Sequence, residues 1–171
     1  ETLTVRYAPT GQGASVTLTP NPGKMVEGSL QQALLAAAQA VGYPSQNVRV
    51  ELVYPLDPVL RRPIITGDGP SGGGIYAVAI AAALLGDTLR PNICMTGTIQ
   101  PDLTIGPIGG AEGKLTGCKY AKATDMILPD GQLSMQLNLD ARSADVRVHE
   151  IHTLAEAYEV ATGQPLRRVS P

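Results

Sequence analysis

Leu3, Val5 and Tyr7 alternate with polar residues, and Val16 and Leu18 repeat the alternation beyond Gly11-Gln12-Gly13, which predicts two strands joined by a turn. A helical period follows. Leu30, Leu34, Ala37 and Ala38 share one face of a segment that Ser29 caps and Gly42 stops after about Val41. Val48, Val50, Leu52 and Tyr54 alternate again as a strand. From about Ser71 to Leu85 the chain is apolar on every side, which predicts a buried central helix ended by Gly86. Ile93 to Ile99 and Leu103 to Ile108 read as two strands around Gln100-Pro101-Asp102, and a helix is predicted from near Gly110 to about Ala123. Met126-Ile127-Leu128 and Val146-Arg147-Val148 read as short strands, the second leading to a last helix from about Thr153 to Ala161. Residues past Gly163 are expected to fray. With no internal repeat and no linker, these elements make one α+β domain spanning residues 1–171.

Composition narrows this picture. At 171 residues, 43% hydrophobic and 16% charged, the chain has the balance of a single globular domain rather than of a disordered one. It has no Trp and no Phe, so the core is aliphatic. A net charge of −2 argues against nucleic acid as a partner, since phosphate neutralisation needs a basic surface. The doublets Arg61-Arg62 and Arg167-Arg168 read as solvated surface. Cys94 and Cys118 lie in apolar stretches; two cysteines are too few for a disulfide framework, so two reduced, buried thiols are expected. The longest apolar run, Ile75 to Leu85, is far shorter than the roughly 20 residues of a membrane helix. No signal peptide is visible, and a start at Glu1 rather than Met suggests a piece trimmed from a longer protein.

Two motifs point to chemistry that their context does not support. Gly67-x-Gly69-x-x-Gly72, with Asp87 downstream, satisfies the dinucleotide pattern, but no second strand separates the helix from that acid. It is not a phosphate-binding Walker loop either, which requires Gly-Lys-Ser/Thr. His149 and His152 have no Cys or further His nearby to complete a metal shell, and read as a strand end and a helix start.

Ser71, between Gly69-Pro70 and Gly72-Gly73-Gly74, stands at the start of the buried helix. Small neighbours admit a substrate backbone, and a helix N-terminus offers N–H groups and positive dipole to an alkoxide or oxyanion. A plain capping serine fits the same position. Both histidines come late and close together, so a Ser-His-Asp triad has no base, which directs attention to lysine. Lys114 shares a helical face with Ala111, Cys118 and Ala121, while Glu112 and Lys119 lie toward the other side. Desolvation on such a face disfavours the ammonium and suits a general base; a lysine stem reaching to water fits it equally. Singly, neither residue decides between catalysis and structure.

Together they resemble a family. Asp68-Gly69-Pro70-Ser71, then Met95-Thr96-Gly97, then Pro107-Ile108-Gly109-Gly110 and Lys114 are similar to the proteolytic domain of Lon, with weaker likeness at Gly28-Ser29-Leu30 and Ile127-Leu128-Pro129. The chain departs from the usual pattern at Gly72, where the family typically has Ala, at Thr98, where it often has Glu, and at Ala111-Glu112-Gly113 before the lysine. The resemblance implies the Lon protease-domain fold, short mixed sheets packed with helices. It also implies a serine endopeptidase in which Ser71 is the nucleophile, Lys114 its base and Thr96 a residue that holds the lysine. Asp68 would fix the loop or approach Lys114, although an ordinary turn carboxylate fits it as well. Unfolded proteins or peptides are the implied substrates, a hexameric ring the implied assembly and the cytoplasm the implied location. No cofactor is expected in this domain; ATP would enter only through a separate motor module or partner, since the 171 residues contain no Walker sequence. The alternative is a non-proteolytic ring-assembly scaffold of the same fold, which loss of Ser71 or Lys114 would have signalled.

Overall fold

The structure is a computed structural model and describes residues 2–8, 13–20, 23–55, 57–59 and 69–169. Its strands are β1 (Thr2–Tyr7), β2 (Ser15–Thr19), β3 (Val48–Val53), β4 (Ile93–Met95), β5 (Thr98–Ile99), β6 (Ile105–Gly106), β7 (Asp125–Pro129) and β8 (Arg147–Ile151). The helices are α1 (Lys24–Val41), α2 (Gly73–Leu85), α3 (Ala111–Tyr120), α4 (Met135–Ser143) and α5 (Leu154–Thr162). The α+β class follows from three small sheets, one mixed, one parallel and one antiparallel, packed with these helices.

The first sheet has the order β1-β3-β2. The alternating segments at the N-terminus are therefore strands, but they are not partners of one another. β3 lies between them, antiparallel to β1 and parallel to β2. The second sheet, β4-β7-β8, is wholly parallel. Parallel pairing requires crossovers, which α3 and α4 provide. The third is the short antiparallel pair β5-β6.

Every residue of β7 is buried, and the strand divides two cores. Ile127 joins the larger core of α1, α2, α5 and β3, whereas Met126 and Leu128 point into a smaller one with Leu115, Leu137 and Ala141. Helix α2 is the centre of the larger core, with Ala77, Val78, Ile80 and Ala81 fully buried.

Four expectations change. Helix α1 begins at Lys24, so Ser29 lies inside it rather than capping it. The apolar run from Ile93 breaks at Thr96-Gly97 and serves two sheets. Helix α4, capped by Ser134, has no counterpart in the sequence reading. The segment beyond Gly163 docks instead of fraying: Val169 N–H donates to the Val41 carbonyl (2.8 Å), and Arg167 pairs with Asp87. Arg168 lies close against Gly42. Arg61-Arg62, Gly67 and the turn at Gly11-Gln12 lie outside the described residues.

Candidate active site

Ser71 sits in a 3-10 turn, Pro70–Gly72, that leads directly into α2. Proline at the first position pre-sets φ for the turn. Two successive carbonyls of this turn are clamped. The Pro70 carbonyl accepts from the Ser29 hydroxyl of α1 (3.0 Å) and from the Gly73 N–H. The Ser71 carbonyl accepts from Gly97 N–H (2.8 Å) and, more weakly, from the Thr96 hydroxyl (3.4 Å). Gly74 N–H donates to the Gly97 carbonyl (2.9 Å), so α2 begins against the Thr96-Gly97 break between β4 and β5.

The glycines after Ser71 serve this packing. A Cβ at Gly73 would stand 2.9 Å from Ser29 Oγ, and one at Gly74 would stand 2.5 Å from Met95 Cε and 3.2 Å from the Gly97 carbonyl. Gly72 lies under the Tyr76 ring, 2.8 Å from where its Cβ would be. Their small size is taken up by the protein's own chain rather than left as space for a substrate backbone.

Lys114 approaches from α3. Gly110 launches the helix from a left-handed conformation (φ 65°). The turn before it is held by Gln132, whose side-chain amide bonds both backbone groups of Ile108 (2.8 and 2.9 Å). Glu150 in turn accepts from the N–H groups of Gln132 and Leu133. Glu112 and Lys119 are exposed, as the helical phase required, and Lys114 projects toward Ser71 with Nζ 2.9 Å from Oγ. Burial holds the Lys114 pKa below its ordinary value. Among the described residues no carboxylate pairs with it.

Ser71, Thr96 and Lys114 line one cleft of about 380 Å³, whose other walls include Ile75, Met95 and Ala121. Three of the four candidate site residues thus come together; Asp68 lies outside the described residues. Thr96 is buried, and its hydroxyl bonds the Ser71 carbonyl. The two histidines lie elsewhere: His149 bonds Asp125 (2.8 Å) within β7-β8, and His152 faces Asp130. Asp87, the acid of the dinucleotide-like pattern, is engaged by Arg167 and the Tyr158 hydroxyl.

The sequence reading missed two features. The sequence pattern places Ser29 at a helix cap, and its weak family likeness at Gly28-Ser29-Leu30 does not say that its hydroxyl supports the turn of Ser71. Cys94 and Cys118, expected as free thiols, form a disulfide between β4 and α3 and line the cleft. Cys118 shares the helical face of Lys114, and Cys94 stands two residues before Thr96, so the sequence itself points both cysteines toward one site.

The model of the Lon protease (S16) C-terminal proteolytic domain matches residues 60–162, more than half of the chain. The chain belongs to this family. Among relatives of the Lon proteolytic domain, Lon protease 1 of Sorangium cellulosum is 32% identical over 151 residues, covering 80% of this chain and 18% of the relative. Lon protease of Salinispora arenicola is 30% identical over 168 residues, with 90% and 21% covered. Lon protease of Ureaplasma parvum is 28% identical over 166 residues, with 95% and 21% covered. This Lon-type chain therefore spans about a fifth of the length of these relatives. Among its described residues no helix is long and apolar enough to cross a membrane.

Proposed function

We propose that the chain is a serine endopeptidase domain that hydrolyses peptide bonds of unfolded proteins or peptides through an acyl-enzyme. The observation that carries this reading is the 2.9 Å approach of Lys114 Nζ to Ser71 Oγ in a cleft where burial lowers the lysine pKa. Neutral Lys114 takes the Ser71 proton as Oγ attacks the scissile carbonyl. It then protonates the leaving amine and later takes a proton from the water that releases the acyl group.

Oxyanion donors are sought at the helix start. The amides of Gly73 and Gly74 are already bonded to Pro70 and Gly97, which directs the assignment to the amides of Ser71 and Gly72. Thr96 acts on the same turn through the Ser71 carbonyl, and Asp68 is proposed as a loop residue next to the nucleophile. We take residues 1–171 as one proteolytic domain that needs no cofactor of its own for the chemistry. ATP dependence belongs to a separate motor module or partner, and ring assembly is proposed from the family.

The test is cleavage of an unfolded protein by this chain without ATP, beside Ser71→Ala and Lys114→Ala. Loss of at least about 10³-fold in both variants is expected, on the scale of removing a nucleophile or its base. Cleavage that survives Ser71→Ala would sink the mechanism.

A further inference from the structure

Lys114 and Cys118 are separated by one helical turn on α3, and Cys94 is the middle residue of β4, two residues before Thr96. Their Cα atoms are 5.8 Å apart, within the usual span of a disulfide. The bond therefore joins the helix that carries the base to the strand that runs into the Thr96-Gly97 clamp on the nucleophile's turn. Among the described residues, the other polar ties at this end are the Lys114–Ser71 bond and the hold of Gln132 on the turn before the helix. The helix is ten residues long, most of its surface is exposed, and within it only Leu115 and Cys118 are buried. An exposed helix with so small an apolar face depends on tertiary ties for its position.

We propose that the Cys94–Cys118 disulfide is a positioning element for Lys114, so that the oxidised protein is the competent protease and a dithiol reductant switches it down. The inference rests on the Ser71–Lys114 reading for its effect on activity, but not for its effect on α3. Both cysteines line the cleft, which gives a small thiolate access. Attack on Cys94, the less buried of the two, forms a mixed disulfide and expels the Cys118 thiolate. The second thiol of the reductant then displaces Cys94. Two protein thiols are formed and the dithiol is oxidised to its cyclic disulfide, a balanced two-electron exchange. Such a tie persists in an oxidising compartment and opens in a reducing one, which runs against the cytoplasmic location implied by family resemblance.

The experiment compares the purified chain before and after dithiothreitol, and after reoxidation, beside the double variant Cys94→Ala/Cys118→Ala. Reduction is expected to lower kcat by roughly 10- to 100-fold, the scale of a small misplacement of a catalytic group, with KM little changed. Reoxidation restores kcat; the double variant starts at the low value and ignores the dithiol. Hydrogen exchange of the α3 amides speeds up on reduction while that of α5 does not. Two free thiols in the denatured, never-reduced protein would overturn the proposal, as would α3 exchange unaffected by reduction. If the oxidised chain shows no Ser71-dependent cleavage, the activity arm bears on the Ser71–Lys114 reading and on the motor or ring proposed for it, not on the tie, which the α3 exchange still decides.

Discussion

At the scale of single residues, the proposed role of Lys114 as base requires its neutral form, so the proposal predicts activity that appears as pH rises through its pKa. Burial lowers that pKa, which moves the rise from the ordinary lysine value near 10.4 toward neutrality. Ser29 offers a subtler test. Its hydroxyl is the side-chain support of the Pro70 carbonyl, and Ser29→Ala leaves that acceptor with the Gly73 N–H alone. We expect about 1 kcal/mol lost from stability, the worth of one hydrogen bond, and a fall in kcat of roughly tenfold with KM nearly kept. Thermal unfolding and steady-state kinetics of the variant check both. The approach of Ser71 and Lys114 to one another is legible as a candidate pair because each combines an unusual local setting with a spacing that a family repeats. Ser29 was not legible, because a serine near a helix start looks like a cap until the chain it touches, 41 residues away, is in place.

At the scale of elements, period identified most helices and strands but not their partners. The alternation in β1 and β2 marks two strands with one buried face; it cannot say that β3, more than twenty residues on, lies between them. The run from Ile93 to Ile99 reads as one strand because apolar residues lie on both sides of Thr96-Gly97, where the chain leaves one sheet to seat α2. Helix α4 escaped notice because it buries only Leu137 and Ala141, leaving Met135 and Leu139 in solvent. The close seating of α2 yields a prediction. Gly74→Ala places a methyl against Met95 and the Gly97 carbonyl, and because a carbonyl cannot swing aside as a side chain can, α2 must shift. A loss of about 1–3 kcal/mol, measured by urea denaturation, is expected, with Ser71-dependent cleavage falling as well.

At the scale of the molecule, two cores share β7, and charge ties β7 to its neighbour β8. Asp125 is almost fully buried, which by itself would raise its pKa. Hydrogen bonds from His149, Thr124 and Arg147 outweigh that burial and bring it down to about 2. Because the folded value lies below the unfolded 3.8, this stabilisation is complete above about pH 4 and is lost as pH falls toward 2. It amounts to about 2 kcal/mol at neutral pH. Asp125→Asn should therefore lose about 2 kcal/mol less than the parent between pH 5 and pH 2, and equal losses in acid denaturation would refute the assignment. The C-terminal segment shows the same at longer range: a chain terminus is expected to fray, yet Asp87 and Val41 supply partners that no local pattern announces.

The central claim is that Lys114 activates Ser71, and the most direct measurement is the rate at which a serine-reactive fluorophosphonate labels Ser71 as a function of pH. It needs neither a motor nor a known substrate. The account predicts labelling confined to Ser71, a rate that rises with pH to a plateau below the ordinary lysine pKa, and its loss in Lys114→Arg, whose guanidinium keeps its proton. Labelling at the same rate in Lys114→Arg, or at another serine, would contradict it.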